Sequence, residues 1–189
     1  GSAYARWEPL ARELTGMLWP AAQATAADPA RGASGVCPNL PVVAGTRIRP
    51  TAGQVTSGYG PRWGTLHAGV DIAGPRDSPV YAATGGTVLT AACTSAYCDR
   101  DGNLGLAGYG NLVELDHGGG VTTRYAHLSA YTVAAGQHVG AGALVGFQGS
   151  TGNSTGVHLH FEVRQDGAPV DPVPWLADRG VDLSAPDQG

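Results

Sequence analysis

Four of the six histidines in this 189-residue chain fall at spacings that could serve a metal ion. His67-Ala-Gly-Val-Asp71 sets an imidazole four positions before a carboxylate, and His158-Leu-His160 sets two imidazoles two positions apart. His127 closes the run Arg124-Tyr125-Ala126-His127. Two neutral imidazoles and one carboxylate match the preferences of a single Zn²⁺ ion and leave one coordination position open. An ion held that way lowers the pKa of a bound water to about 7 and polarises a carbonyl, which is chemistry that hydrolyses an amide. The remaining two histidines can take or give protons, or donate to a developing oxyanion. There is no HExxH helix, so the glutamate base of the zincin type is absent. Each motif alone is weak, because an isolated HxH is more often a pair of packed or surface histidines. The conjunction of the three carries the reading.

The elements that must position these residues read as strands. Along 157–163 the odd positions are Val157, Leu159, Phe161 and Val163, and the even ones are His158, His160 and Glu162. Side chains alternate across a strand, so both histidines face the same space. From His67 to Ile72, His67, Gly69 and Asp71 share one face, and Gly69 leaves room for an ion. A helix would also bring His67 and Asp71 together, but Gly69, the β-branched Val70 and Ile72, and Gly74-Pro75 favour a strand. Further strands are expected near 54–58, 79–83, 86–91, 111–116, 121–127 and 143–147, separated by Gly- and Pro-marked turns. His117, before three glycines, reads as a turn residue, and His138 as a solvated hairpin residue.

Thirty glycines and thirteen prolines favour a β-rich fold, and 42% hydrophobic content is enough for a sizeable core. With two Phe and one Met, that core must be mainly Val, Leu and Ala with some Tyr or Trp. Net charge is −4, and all eleven basic residues are arginines without a cluster, which excludes a nucleic-acid footprint. No apolar run approaches membrane-spanning length. No signal peptide is visible, but Gly1-Ser2 reads as a fusion scar, so the native start is expected to have been trimmed. Tyr4, Trp7, Ala11, Leu14 and Leu18 predict a helix over about 7–18, and 20–46 reads as a linker. The expected division is 1–45 for helix and linker, 46–175 for the catalytic domain, and 176–189 for a polar tail that frays after Pro174. Cys93 and Cys98 could close a small loop in an oxidising compartment, leaving Cys37 over.

The same residues resemble the lysostaphin/LytM-type zinc endopeptidases. Ser57-Gly-Tyr-Gly-Pro-Arg62, His67-Ala-Gly-Val-Asp71, Gly108-Tyr-Gly-Asn111 with Val113, Tyr125-Ala-His127-Leu128 and Gly149 through Val163 match in order, over about 50–172. The resemblance implies a compact antiparallel β-sheet domain with a groove and the zinc at its floor. It implies His67, Asp71 and His160 as zinc ligands and His127 and His158 as the catalytic pair. This divides the two histidines of the HxH motif, which spacing alone does not. Arg62 and Asn111 are expected to be structural supports. The segment 91–108 is longer than the family's usual connection and is expected to wall the groove. In latent members a residue of a preceding segment fills the open zinc position, and Asn39 is the candidate here. The implied function is a secreted or envelope zinc endopeptidase cutting peptide cross-links of bacterial peptidoglycan. Arginine-only basic usage suggests a high-GC source with direct cross-links, hence D,D-endopeptidase activity. The competing expectation is a module that binds wall peptide without cutting and regulates another wall hydrolase; a third is a zinc amidase cutting between sugar and peptide.

Overall fold

The computed structural model describes residues 46–62 and 64–184. The expected N-terminal helix, most of the linker, Cys37 and Asn39 lie outside the described residues. Thirteen strands and one helix follow in order: β1 (Gln54–Ser57), β2 (Gly60–Arg62), β3 (Thr65–His67), β4 (Val70–Ala73), β5 (Pro79–Tyr81), β6 (Gly86–Cys93) and β7 (Asn111–Asp116), then β8 (Val121–Leu128), β9 (Ala130–Tyr131), β10 (His138–Val139), β11 (Leu144–Phe147), β12 (Leu159–Gln165), β13 (Ala168–Val170) and α1 (Pro172–Ala177). The expected strands are present apart from that over 67–72, and every pairing between named strands is antiparallel.

The main sheet runs β1-β4-β12-β8-β7-β6-β10. β12 lies inside it: its first half pairs with β4, its second half with β13, and its other edge with β8. A three-stranded sheet, β5-β11-β9, and the β2-β3 hairpin complete the fold. One face of the main sheet is apolar. Val70, Ile72, Val113, Leu115, Tyr125, Phe161 and Val163 are buried there, joined by Val80 and Val145 of the smaller sheet. Phe161 and Tyr125 are register partners with ring centroids 5.4 Å apart. Burying such a side chain contributes about 1.5–3 kcal/mol, so β8 and β12 are joined by packing as well as by hydrogen bonds.

Three expectations are corrected. The strand expected over 67–72 is broken at Ala68-Gly69, and its halves belong to different sheets. Gly69 does not make room for an ion: a Cβ there would lie 2.2 Å from the Phe161 carbonyl oxygen and 3.1 Å from Glu162 Cγ. The glycine lets the chain approach β12 closely. Residues 175–184, part of the stretch expected to fray, are packed instead. Asp171 caps α1 by accepting from Val173 N–H, Pro172 fills its first turn, and Trp175, Leu176 and Leu183 join the core. The Arg47 guanidinium stacks 3.6 Å from the centre of the Trp175 ring. Three buried apolar side chains outweigh the polar composition that suggested fraying.

Cys93 and Cys98 form the expected disulfide. The segment it staples is docked on the loop before β12: Gly102 N–H donates to Ser150 O at 2.7 Å and Asn103 N–H to Gly152 O at 3.1 Å. Gly110 makes this closeness possible. Its φ is 69°, and a Cβ there would sit 2.4 Å from the Thr151 carbonyl carbon. We expect Gly110→Ala to lose about 2 kcal/mol or more of unfolding free energy, from left-handed strain and overpacking. Urea denaturation measures it, and an unchanged midpoint would show that the loop relaxes freely.

His117 is the turn residue expected. Its Nδ1 is 2.8 Å from Gly85 O and its Nε2 is 2.8 Å from Thr123 Oγ1. Burial lowers its pKa below the ordinary 6.5, and the Gly85 carbonyl only partly opposes this. A depressed folded value means that the unfolded chain takes up protons first as pH falls through about 6.5. Stability contributed by neutral His117 is therefore full above that pH and lost below it. Denaturation midpoints from pH 7.5 to 5 should fall more steeply for the parent than for His117→Asn; equal slopes would remove His117 from the titration.

Candidate metal centre

Sheet register brings the first two groups together. His160 of β12 and Asp71 of β4 are direct partners across antiparallel strands, so their side chains leave the same face side by side. His160 Nδ1 is 2.8 Å from Asp71 Oδ1. His67, the last residue of β3, is delivered by the β2-β3 hairpin, with Nε2 3.1 Å from Asp71 Oδ1 and 3.1 Å from His160 Nδ1. All three residues are buried, and among the described residues they form the one group of histidines, cysteines and carboxylates close enough to hold a metal.

The outer hydrogen bonds say which atoms are free to bind. His67 Nδ1 lies 2.6 Å from Gly58 O, a carbonyl that can only accept, so Nδ1 carries the proton and Nε2 a lone pair. His160 Nε2 lies 3.2 Å from Glu162 Oε1, which leaves the Nδ1 lone pair facing inward. Burial raises the Asp71 carboxyl, but the His160 ring against Oδ1, with the His158 and His67 rings nearby, outweighs it and holds Asp71 down at about 2. Three electron-rich atoms therefore converge within 2.8–3.1 Å of one another. Acceptors so placed repel unless a cation lies among them, and bonds of about 2.0–2.1 Å to one ion at near-tetrahedral angles give edges of about 3.3–3.4 Å, a few tenths of an ångström wider than these. The donor set fits a divalent metal. Burial lowers the His160 imidazole, but Asp71 and Glu162 prevail and raise it: the charge that attracts a proton also attracts a metal.

His158 and His127 stand beside this triangle. His158 lies just before β12, on an isolated bridge to Gly149; the sequence expectation had put it inside the strand. Its Nδ1 is 2.9 Å from Gly156 O, so it donates there, and Nε2 reaches to 3.6 Å from Asp71 Oδ1. His127 reaches the same space by a β-bulge. Asn111 pairs with Leu128 and Val113 with Tyr125, so Ala126 and His127 together oppose Leu112. Tyr125 and Leu128 both point into the core, three positions apart, and His127 between them turns toward the groove with φ 60°. Asn111 Nδ2 donates to Leu128 O and Ser129 O just beyond the bulge, in the supporting role expected of it. His127 Nδ1 donates to Thr151 O at 2.8 Å, and its ring centre lies 4.9 Å from that of His158. Burial lowers the His127 pKa, and the His158 and His160 charges push the same way, to about 3. His127 is therefore neutral at physiological pH.

These residues share a groove of about 410 Å³. Arg62 lines one side and holds Asp71 Oδ2 at 3.5 Å and Ser57 Oγ at 2.6 Å, a support as expected. The disulfide-stapled segment contributes Leu104, Gly108 and Tyr109 to the wall, also as expected, and Leu104 and Leu66 are exposed apolar residues of the lining. Sequence reasoning assigned no role to Glu162, which is fully buried and accepts from Tyr109 OH at 2.7 Å and Arg164 Nη1 at 2.7 Å. Its parity with His160 on β12 was the available signal.

Known proteins agree with this architecture. The profile of peptidase family M23 matches residues 65–172. The chain is 46% identical over 108 residues to a DD-carboxypeptidase/endopeptidase, Mpg, of Neisseria meningitidis, covering 57% of this chain and 22% of that protein. It is 36% identical over 130 residues to the murein hydrolase activator NlpD of Salmonella dublin, covering 69% of this chain and 31% of that protein. It thus spans a third or less of the length of these relatives. The catalytic domain of lysostaphin from Staphylococcus simulans superposes with a TM-score of 0.56 at 33% identity, covering 66% of this chain and 92% of that domain. The fold is the mainly antiparallel, lysostaphin-like one, the family profile spans more than half of the residues, and the chain belongs to peptidase family M23.

Proposed function

We propose that this chain is a zinc endopeptidase of the bacterial cell envelope that hydrolyses peptide cross-links of peptidoglycan, with D,D-endopeptidase specificity. His67 Nε2, Asp71 Oδ1 and His160 Nδ1 would hold one zinc ion, and His127 and His158 would assist hydrolysis. The observation that carries this reading is the convergence of those three lone-pair atoms at the floor of an open groove, with two further imidazoles beside them. The relative named a DD-carboxypeptidase/endopeptidase supports the choice of bond. Among the described residues no helix is long and apolar enough to cross a membrane.

Bound zinc supplies Lewis acidity, making a water more acidic and a scissile carbonyl more electrophilic. The protein supplies the rest. Both assisting histidines commit Nδ1–H to a backbone carbonyl, Thr151 O for His127 and Gly156 O for His158, so in each neutral ring Nε2 is the acceptor. Either ring can therefore take the proton of an attacking water. The ring that takes it becomes an Nε2–H donor beside the developing oxyanion and can pass the proton to the leaving amine. Burial of His127 keeps it ready to accept at neutral pH. The β-bulge and the Thr151 carbonyl hold its orientation, the positioning that such catalysis needs. The segment 46–184 acts as the catalytic unit.

The relative named a murein hydrolase activator favours a second reading, in which the groove binds wall peptide and a partner hydrolase cuts. Mass spectrometry of digested sacculi separates the two. The zinc-loaded chain should release muropeptides cleaved between stem peptides, a chelator should abolish this, and His158→Ala should reduce the rate about 10²–10⁴-fold. Absence of cleavage by the parent would support the regulatory reading, and release of free muramoyl ends would mark an amidase.

Zinc binding is testable apart from catalysis. Zinc at about 100 times its Kd should add roughly 2.7 kcal/mol to the unfolding free energy of the metal-free protein. Asp71→Ala should lose that gain. A melting temperature unmoved by zinc in the parent would remove the metal from the reading.

A further inference from the structure

Glu162 is the most buried charge beside the proposed metal centre, and no hydrolytic step above uses it. Its surroundings are unusual because every polar neighbour is a donor. Oε1 accepts from Tyr109 OH at 2.7 Å and faces His160 Nε2 at 3.2 Å. Oε2 accepts from Arg164 Nη1 at 2.7 Å and lies 3.7 Å from Arg124 Nη1. Arg124 is itself braced by Glu114 at 3.0 Å, and the Tyr109 ring stacks on His160 with centroids 6.0 Å apart and planes 28° apart. A Cβ at Gly69, the glycine between the two expected ligands, would lie 3.1 Å from Glu162 Cγ, so the missing side chain leaves room for this carboxylate's stem.

We infer that Glu162 is a positioning residue whose carboxylate, held by Tyr109, Arg164 and Arg124, keeps the His160 proton on Nε2 and so reserves Nδ1 for the metal. A carboxylate offers only acceptors, so it satisfies the three donors within hydrogen-bond distance at once while the Arg124 guanidinium, 3.7 Å away, adds an ion pair. A glutamine of the same size cannot. With its oxygen toward the arginines, its NH₂ points at His160 Nε2, which becomes an acceptor, and the proton moves to Nδ1, the atom that must bind. With its oxygen toward His160, the NH₂ opposes two guanidinium groups. Carboxylate-to-histidine contacts behind metal ligands typically govern affinity by 10–100-fold. Tyr109 OH is committed to Glu162 in this arrangement, so Tyr109 acts through the ligand although its ring lines the groove.

The inference rests on the reading of this site as a zinc centre, and its test does not use hydrolysis. In ¹⁵N-histidine-labelled, metal-free protein at pH 9, long-range ¹⁵N–¹H spectra should show His160 as the Nε2–H tautomer and His67 as the Nδ1–H tautomer. In Glu162→Gln the His160 signal should move toward Nδ1–H, and chelator competition should show a zinc Kd raised 10–100-fold while circular dichroism stays native. Tyr109→Phe, at a half-buried position, should weaken zinc severalfold and speed solvent exchange of the His160 Nε2–H proton. An unchanged tautomer with zinc affinity within twofold of the parent, in folded E162Q, would overturn the assignment. If E162Q does not fold, an unaltered exchange rate and affinity in Y109F overturn it instead. Failure of the parent to bind zinc, with the tautomers as stated, would count against the proposed function and leave the positioning role standing.

Discussion

Three electron-rich atoms, His67 Nε2, His160 Nδ1 and Asp71 Oδ1, are held within 2.8–3.1 Å of each other. Such a cluster is unfavourable on its own, because lone pairs repel and the site is shielded from water. It exists because the surrounding backbone leaves those side chains nowhere else to point. The Gly58 carbonyl and the Glu162 carboxylate take the outer N–H groups, which turns the repulsion inward and makes a cation the natural occupant.

The frame is the middle of the main sheet. β12 pairs with β4 on one edge and β8 on the other, so His160 is placed between Asp71 and Ala126 by two independent registers. A one-residue slip would turn His160 into the core and Phe161 into the groove, and burial of Phe161 against Tyr125 opposes that slip. The apolar face thus sets the geometry of the polar one. The loops add what the sheet cannot: the hairpin delivers His67, the bulge delivers His127, and the loop before β12 delivers His158 together with the Thr151 carbonyl that orients His127.

The wall of the groove depends on close backbone packing between separate loops. Gly102, Gly110 and Gly152 meet where a Cβ on any of them would clash with neighbouring backbone. The disulfide closes the start of the same segment, and hydrogen bonds from Gly102 to Ser150, Asn103 to Gly152 and Asn153 to Gly108 tie the segment to the loop before β12. The shape of the groove and the placement of its assisting histidines are therefore mechanically linked.

Much of this was legible in the residues. Alternation through Val157–Val163 identified the strand and put His160 and Glu162 on one side, because the period of a strand is local and survives in any tertiary setting. The Gly- and Pro-marked turns gave the β-rich class, and the Cys93–Cys98 spacing allowed the loop closure that is observed. Other features depend on neighbours distant in sequence. Parity in β8 assigns His127 to the core side with Tyr125, and only the unequal register with β7 turns it round. Gly69 looked like space for an ion and is instead the approach of one strand to another. The stretch after Pro174 looked polar, yet Trp175, Leu176 and Leu183 find the core. The chain alone determined which side chains could do chemistry and which strands would carry them, since composition and period are properties of the chain. Which ring nitrogen of each histidine faces the centre was decided only in three dimensions, because it depends on carbonyls and carboxylates that folding brings beside it.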